Sequence, residues 1–241
     1  MYKAVALIPA RSGSKRIKNK NIFKINQQPL LAYTINAAKK SKMFQRIICV
    51  TDNKFYASVA KKFGAEVPAL RPKNISGDKS SDIEWLLWVM KEINGIDKFD
   101  LFSILRPTSP IRNSKTIKRA FDFFIKNKSY DSLRAVNKCK QHPAKMWLLK
   151  KKRLFPLLKN FKNNKIPTHS QQYANLPTVY VQNASLEIAW TRILKRKNPT
   201  ISGNKILGFE SVGLEGFDIN NIQDIYLLKY LLQKKIVKLT L

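Results

Sequence analysis

The chain has 241 residues and a formal net charge of +31, the result of 46 lysines and arginines against 15 aspartates and glutamates. Hydrophobic residues make up 44% of it, enough for a sizeable core, which excludes a globally disordered protein. The lysines are scattered along the chain instead of forming one patch, so the charge favours general basic composition and solubility over a nucleic-acid partner.

Hydropathy and cysteine usage indicate the compartment. The apolar runs are shorter than the roughly 18 residues that a membrane-spanning helix needs. The opening "MYKAVALIPAR" has too short an apolar stretch for a signal peptide. Cys49 and Cys139 lie in no CxxC or metal-ligand spacing, which is typical of reduced thiols. We therefore expect a cytoplasmic protein without membrane insertion.

Strand and helix signals alternate through the first half of the chain. The predicted strands are the apolar runs "AVALIP", "RIICVT", "AEVPA" and "LFSIL". The predicted helices are "LLAYTINAAKK", "YASVAKKF" ending at Gly64, "DIEWLLWVMKEI" behind a capping box from Ser81 to Glu84, and a helix carrying Ile117, Phe121 and Phe124. This alternation predicts a doubly wound α/β domain with a mostly parallel sheet.

The alternation breaks between residues 137 and 179, where the chain is polar, basic and aromatic without a clear period. A stretch of this length is typical of a lid, an interaction arm or a disordered excursion. We interpret it as a small arm or dimerisation subdomain, inserted into one domain that covers residues 1–241. Strand character resumes in "SLEIAW" and "KILGFESV", and "IQDIYLLKYLLQ" is the predicted closing helix.

A basic loop follows the first predicted strand: "IPARSGSKRIKNKN", residues 8–21, contains Arg11, Lys15, Arg16, Lys18 and Lys20. So many like charges repel one another unless an anion lies among them. The glycine of this loop lies between two serines, which lets several backbone N–H groups converge on one phosphate. The loop lacks the spacing of a Walker A or GxGxxG motif. It indicates a nucleoside triphosphate, with a solvated basic turn as the alternative.

Two further polar segments follow predicted strands. Asp52 follows "RIICVT", and Arg106–Arg112, with the sequence "RPTSPIR", follows "LFSIL". Ligands of open parallel sheets bind beyond the carboxyl ends of the strands. We therefore expect both segments to lie near the basic loop.

Near the end of the chain, Asp218 and Asn220 precede the closing helix and lie two residues apart. In an extended segment their side chains share one face. Oxygen ligands of this kind suit Mg²⁺, which keeps several waters and shares substrate phosphates. The alternative is that one of them caps the closing helix, and the spacing alone favours that cap.

Taken together, these segments resemble the bacterial CMP-sialic acid synthetases, the N-acylneuraminate cytidylyltransferase family, along nearly the full chain. The matching motifs, in the family's order, are "IPARSGSKRIKNKNI", "PLLAYTINAA", "RIICVTDN", "RPKNISGDKSS", "RPTSPIR", "NASLEIA" and "GFDINNIQDI". The related CMP-Kdo synthetases also begin with a basic loop, but have a "GKPL"-like element where this chain has "KNKNIFKINQQPL". They are the alternative within this class of enzyme.

The resemblance implies a nucleotide-binding α/β core with a small dimerisation arm, and hence a homodimer. It also implies a reaction in which CTP and a nine-carbon α-keto acid sugar give a CMP-sugar and pyrophosphate. In this reaction Arg11 and Lys20 would hold the triphosphate and act in catalysis, while Asp218, with Asn220 beside it, would bind Mg²⁺. The implied CTP-binding residues are Ala10, Arg11, Ser12, Gly13, Lys20, Asn21, Arg71, Ser80 and Ser81.

Two positions depart from the family pattern. Asn220 replaces a second aspartate that is usual in the family, and an amide brings no charge, so the affinity for metal and the number of metal ions are open. Arg106 stands where glutamine is common before "PTSP". Its guanidinium either pairs with a substrate carboxylate or braces the loop.

The sugar-binding segment departs as well. Sialic-acid members of the family place arginines ahead of and within an NG-x-x-Y segment, whereas the corresponding "QQYANLPTVYVQNASLEIA" contains none. The sugar's carboxylate must then be held otherwise, so pseudaminic acid, legionaminic acid or another nonulosonate are alternatives to N-acetylneuraminate. The candidate sugar-binding residues are Arg106, Tyr180, Gln182 and Asn183. A second functional class also stays open, a non-catalytic basic α/β domain that binds nucleic acid.

Overall fold

The computed structural model describes residues 2–158 and 166–241. The chain forms two compact units. The first is Met1–Ala135 with Asn183–Leu241, and the second is Val136–Gln182. The arm expected at residues 137–179 falls within the second unit, and its residues 159–165 lie outside the described part of the chain.

The described residues contain ten strands and five α-helices, with short 3₁₀ helices between them. The strands are β1 (Ala4–Pro9), β2 (Lys24–Ile25), β3 (Gln28–Pro29), β4 (Arg46–Val50), β5 (Leu101–Ile104), β6 (Ser132–Lys138), β7 (Trp147–Lys150), β8 (Arg153–Pro156), β9 (Tyr180–Trp190) and β10 (Ile206–Glu210). The helices are α1 (Leu30–Ser41), α2 (Lys54–Lys62), α3 (Asp82–Glu92), α4 (Ser114–Lys126) and α5 (Ile222–Gln233).

Six strands form the central sheet in the order β10-β6-β9-β5-β1-β4. Strand β1 pairs in parallel with both β4 and β5, whereas β9 pairs antiparallel with β5. The predicted class, a doubly wound α/β fold with a mostly parallel sheet, is confirmed. One predicted strand is wrong: "AEVPA" contributes only a single parallel bridge, from Glu66 to Ile48, because Pro68, two residues after Glu66, cannot donate to a ladder.

The core lies on both faces of the sheet, as the alternation of side chains along β1 requires. Ala4, Ala6 and Ile8 of β1 pack on one side with residues of α1, α2 and α4. Val5 and Leu7 pack on the other side with residues of α3. Strand β1 is therefore buried on both faces, which is why its sequence reads as a continuous apolar run.

A third apolar cluster fixes the basic loop. Ile17, in the middle of that loop, is buried against Ile111, Ile219 and residues of α1 and α5. Burying one such side chain contributes about 1.5–3 kcal/mol, which opposes the mutual repulsion of the neighbouring cations. The loop is thereby held at the carboxyl end of β1.

The second unit contains the antiparallel hairpin of β7 and β8, in which Leu148 pairs with Phe155. All eight residues of these strands are exposed, and Leu149 and Leu154 are more than half exposed. The described residues contain no helix that is long and apolar enough to cross a membrane.

Asp131, just before β6, joins two loops of the first unit. Its carboxylate accepts from Arg196 at 2.6 Å and from the backbone N–H of Asn204 at 2.8 Å. Gly203 has a φ of 67°, and a Cβ there would lie 2.4 Å from the Cβ of Asp131, so only glycine fits. The Arg196 hydrogen bond, with the two backbone amides of Asn204 and Lys205, lowers the pKa of Asp131 to about 2.

We predict that Asp131→Asn lowers the free energy of unfolding at neutral pH by about 1.5–3 kcal/mol, the range for hydrogen bonds to charged groups. Because the folded pKa lies below the unfolded one, this stabilisation is present above the unfolded pKa and is lost as pH falls toward 2. Urea unfolding at pH 7 and pH 3 should show the difference shrinking at the lower pH. The exposed Asp122→Asn is the control, and an equal loss in both variants would contradict the prediction.

Candidate functional site

Strand β1 lies between β4 and β5 in the sheet and pairs in parallel with both. The chain runs from β1 through α1 to β4, the neighbour of β1 on one side. It then runs through α2 and α3 to β5, the neighbour of β1 on the other side. Loops that leave such a point on opposite sides open a crevice at the carboxyl ends of the strands. A cleft of about 330 Å³ lies there, and its lining comes from the first unit.

The cleft is strongly cationic. Six cationic side chains line it, namely Arg11, Lys15, Arg16, Lys20, Arg71 and Arg106. Its lining contains two carboxylates, Asp82 and Asp218. A surplus of positive charge in a concave site concentrates field and favours a ligand of several negative charges. This excludes an apolar substrate and suits a triphosphate.

The loop after β1 is tied to the loop after β4. The backbone N–H of Ser12 donates to Asp52 at 2.7 Å, and its hydroxyl donates to the other carboxylate oxygen at 2.6 Å. Gly13 adopts a φ of 72°, the left-handed conformation that turns the loop. Because the Ser12 amide is already paired, the expected phosphate nest would have to use other amides of this loop.

Asp78 binds the two leading cations of the basic loop. Its carboxylate lies 2.8 Å from Arg11 Nη2 and 2.6 Å from Lys15 Nζ. The two hydrogen bonds, from Lys15 first and then Arg11, lower the pKa of this exposed carboxyl. A phosphate that enters the cleft would compete with Asp78 for the same donors.

Lys20 and Asn21 hold the end of the basic loop. Lys20 Nζ donates to the carbonyl of Ile219 at 3.0 Å, and Asn21 Nδ2 donates to the carbonyl of Arg11 at 2.9 Å. Burial lowers the pKa of Lys20, and the nearby Arg16 and Arg11 act in the same direction against the carboxylate of Asp218. An anion placed beside Lys20 would therefore relieve a charge that is only partly compensated.

Arg71 and Ser80 line the cleft next to the basic loop. Arg71 is buried, and its Nε donates to the carbonyl of Ile75 at 2.8 Å. The guanidinium lies 5.9 Å from the centre of the Trp85 ring. Burial lowers the pKa of Arg71, although Asp82 and Asp52 partly offset this.

The segment after β5 reaches the cleft through Arg106, Pro107 and Thr108. It is anchored from behind by Arg112, which is completely buried and donates to the carbonyl of Ser185 at 2.7 Å. Burial lowers the pKa of Arg112 to about 9. In "RPTSPIR" the first arginine thus faces the cleft and the last one supports the loop.

Arg106 bridges two carboxylates. Its Nη1 lies 2.6 Å from Glu187 Oε1 on β9, and its Nη2 contacts Asp82 Oδ2 at the first turn of α3. Burial opposes the charge of Arg106, but the two carboxylates outweigh it and raise the pKa.

Asp218 and Asn220 both line the cleft. Asp218 Oδ2 accepts from the amide of Asn220 at 2.8 Å, while Oδ1 is buried and has no hydrogen-bond partner within the described residues. The expectation that one of them caps the closing helix is wrong. Asn221 is the cap of α5 and accepts from the N–H of Asp224, because the extended segment ends one residue later than the spacing suggests.

The remaining predicted positions lie around the cleft. Ala10 is buried beneath the basic loop, and Ser81 is the residue that precedes α3, with its N–H donating to Glu84 at 2.7 Å. Asn183 is buried next to the cleft-lining Ala184, and its side chain donates to Ser211 at 3.0 Å. Tyr180 and Gln182 are exposed residues of the second unit.

Sequence reasoning missed three acidic residues of the site: Asp78, Asp82 and Glu187. Asp78 and Asp82 flank "KSS" in a segment where only the serines stood out. Glu187 carried a usable signal, because it is a lone carboxylate within the apolar strand "SLEIAW", and such groups are buried only when they are paired.

Comparison with known proteins identifies the family to which the chain is similar. Residues 5–192 match the model of the cytidylyltransferase family. An N-acylneuraminate cytidylyltransferase of Escherichia coli O18:K1:H7 is 38% identical over 56% of this chain and 32% of its own length. In Helicobacter pylori, a pseudaminic acid cytidylyltransferase that is also named as a UDP-2,4-diacetamido-2,4,6-trideoxy-beta-L-altropyranose hydrolase is 31% identical over 85% of this chain and 38% of its own length.

The chain thus spans about a third of the length of those two relatives. It covers 97% of a Campylobacter coli protein, the post-translational flagellin modification protein B, which is 29% identical over 98% of this chain. The solved structure of a CMP:2-keto-3-deoxy-manno-octonic acid synthetase complexed with CTP has the same fold, with a TM-score of 0.70 over 97% of this chain and 99% of that chain at 15% identity.

The resemblance carried by the sequence motifs is therefore confirmed. The loop of arginines and lysines at the carboxyl end of β1 lies within the matched residues, and the chain belongs to the cytidylyltransferase family.

Proposed function

We propose that the protein transfers the cytidylyl group of CTP to a nonulosonic acid, giving a CMP-sugar and pyrophosphate. The observation that carries this proposal is the cleft at the carboxyl end of β1, where Arg11, Lys15, Arg16 and Lys20 converge from one loop. The names of the relatives support a nonulosonic acid as the acceptor. The proposed reaction takes place in the cytoplasm and needs neither nucleic acid nor a membrane.

The roles follow from where charge develops. The anomeric hydroxyl oxygen of the sugar attacks the α-phosphorus, and the bond from that phosphorus to the oxygen that bridges to the β-phosphate breaks. Pyrophosphate leaves, and the proton of the hydroxyl passes to solvent. Arg11 offers a planar fork to phosphate oxygens, and Lys20 offers a point charge. Both stabilise the charge on the phosphoryl oxygens by fixed placement, with little covalent work from the protein.

The nucleoside would lie beside Asn21, Arg71 and Ser80, which line the same cleft. The predicted roles of Ala10, Ser12, Gly13 and Ser81 are then to shape the loops that hold CTP. Of the sugar-binding residues expected from the sequence, Asn183 in the first unit and Tyr180 and Gln182 in the second unit remain proposals.

Mg²⁺ is the proposed cofactor, and the residues present fit it. The buried Oδ1 of Asp218 lacks a hydrogen-bond partner within the described residues, which suits a carboxylate oxygen meant for a cation. The described residues contain no cluster of three or more His, Cys, Asp or Glu side chains able to hold a metal. Asp218 and Asn220 would therefore bind Mg²⁺ together with waters and substrate phosphates, and the ion would neutralise phosphate charge when bound.

Pyrophosphate release tests the proposal. We predict release only when CTP, Mg²⁺ and a suitable nonulosonic acid are all present, with pseudaminic, legionaminic and N-acetylneuraminic acids and Kdo as the acceptors to compare. Omission of any one component, or chelation of Mg²⁺ by EDTA, should abolish the signal. Release with Kdo alone would favour the CMP-Kdo alternative. Salt-sensitive binding of nucleic acid without any release would favour the binding-domain alternative.

The same assay identifies the role of the basic loop. Lys20→Ala should reduce turnover about 10²–10³-fold, because a positioned charge at developing oxyanions contributes that much. The exposed Lys61→Ala on α2 is the matched control and should retain wild-type turnover. Near-wild-type formation of CMP-sugar by purified Lys20→Ala would contradict the assignment.

We also propose that the protein is a homodimer that associates through the second unit. The exposed apolar residues of its hairpin support this, because contiguous apolar surface of this kind is typical of interaction sites.

Light scattering at micromolar concentration should give twice the monomer mass. Phe155→Asp places a charge on the hairpin and should shift the mass to that of the monomer. Phe55→Asp, at an exposed phenylalanine of α2 in the first unit, should leave the dimer intact. A monomeric wild-type protein would overturn this part of the proposal.

A further inference from the structure

We propose that Arg106 is a positioning residue that neutralises Asp82 and Glu187 at the wall of the cleft, and that it does not bind the carboxylate of the sugar. This inference rests on the proposed function, since it concerns how an anionic sugar is accepted beside CTP. It selects between the two roles that the sequence leaves open for an arginine at this position.

The first argument is the geometry of the guanidinium. Both terminal nitrogens of Arg106 are engaged, Nη1 with Glu187 at 2.6 Å and Nη2 with Asp82. Arginine binds a carboxylate tightly when two of its N–H groups point at it in parallel. A sugar carboxylate that approached Arg106 in this way would compete for nitrogens that are already paired with Glu187 and Asp82.

The second argument is how firmly these carboxylates are held. Glu187 is 5% exposed, pairs with the strand residue Ile104 of β5 and also lies 3.2 Å from Arg134 Nη2. Asp82 is fixed by Trp85, whose Nε1 donates to Asp82 Oδ1 at 2.7 Å. Displacing Glu187 would leave a buried carboxylate with Arg134 as its remaining recorded ion-pair partner, which is costly. Displacing Asp82, which is partly exposed, would cost less.

The third argument is the charge balance of the cleft wall. Asp82, Glu187, Arg106 and Arg134 carry two negative and two positive charges, so this network is neutral by itself. Without Arg106, Asp82 in the cleft lining would lose its ion-pair partner and Glu187 would keep Arg134, beside a site that must accept a triphosphate and an α-keto acid. Repulsion between these carboxylates and the carboxylate of the sugar would then limit binding, and not the loss of a direct contact from Arg106 to the sugar.

The two roles differ in what a second substitution does. If Arg106 only compensates charge, then removing the charge of Glu187 as well should restore much of the activity lost in Arg106→Gln. If Arg106 binds the sugar carboxylate, no change at Glu187 can replace that contact. Glutamine keeps an unbranched polar side chain at position 106 and removes the positive charge, so Arg106→Gln tests the charge.

We therefore expect Arg106→Gln to lower kcat/KM for the sugar about 100-fold, the scale for a buried charge that loses its partner. Glu187→Gln should cost less, about 10-fold, because Arg106 keeps Asp82 as its partner. The double variant R106Q/E187Q should recover to within about 10-fold of the wild type, mainly through KM for the sugar. Arg46→Gln, which breaks a pair with Glu66 outside the cleft lining, is the matched control and should leave the kinetics unchanged.

A double variant that is as impaired as R106Q, in an active and folded wild-type background, would overturn the proposal and assign Arg106 to the sugar. If the wild type releases no pyrophosphate with any acceptor, the proposed function fails. Thermal unfolding of the wild type, R106Q, E187Q and the double variant then tests the ion-pair network by itself. Recovery of the melting temperature in the double variant supports mutual compensation between Arg106 and Glu187. Additive losses contradict it.

Discussion

The structure depends on the concentration of positive charge at the carboxyl end of β1. The basic loop keeps its cations together against their repulsion because Ile17 is buried in the apolar cluster with Ile111 and Ile219. Asp52 fixes the start of the same loop through two hydrogen bonds to Ser12. Packing and hydrogen bonding thus hold a preorganised cationic surface, and preorganised charge is what stabilises a phosphoryl-transfer transition state.

The acidic residues in and around the cleft pair with its cations in two different ways. Asp78 pairs with Arg11 and Lys15 at the exposed mouth of the loop, where screening keeps ion pairs weak and exchange with a phosphate is cheap. Glu187 instead pairs with Arg106 from a buried strand position, where exchange is costly. Ion pairing with an exposed carboxylate therefore leaves Arg11 and Lys15 available to a ligand. Ion pairing with a buried carboxylate holds Arg106 at the wall of the cleft.

Local patterns predicted much of the fold, because their causes are local. The apolar run of β1 and the closing helix α5 follow from side-chain periodicity, and the capping box at α3 from Ser81 and Glu84. The motifs also placed Arg11, Lys20, Arg71 and Asp218 in one cleft. The partners of Arg106 could not be predicted in this way. Asp82 and Glu187 lie 24 and 81 residues away in the sequence, and only the tertiary fold brings them next to Arg106. The cap of α5, Asn221, could not be predicted because the sequence does not show at which residue the preceding extended segment ends.

The central claim is that the cationic cleft binds the triphosphate of CTP. Calorimetric titration of CTP with Mg²⁺ into the folded wild-type protein tests it most directly, before any sugar is chosen. We predict saturable binding with one CTP per chain that weakens as salt rises, since exposed arginines and lysines supply part of the attraction. Well-folded protein that shows neither heat nor affinity for CTP with Mg²⁺ would contradict the account.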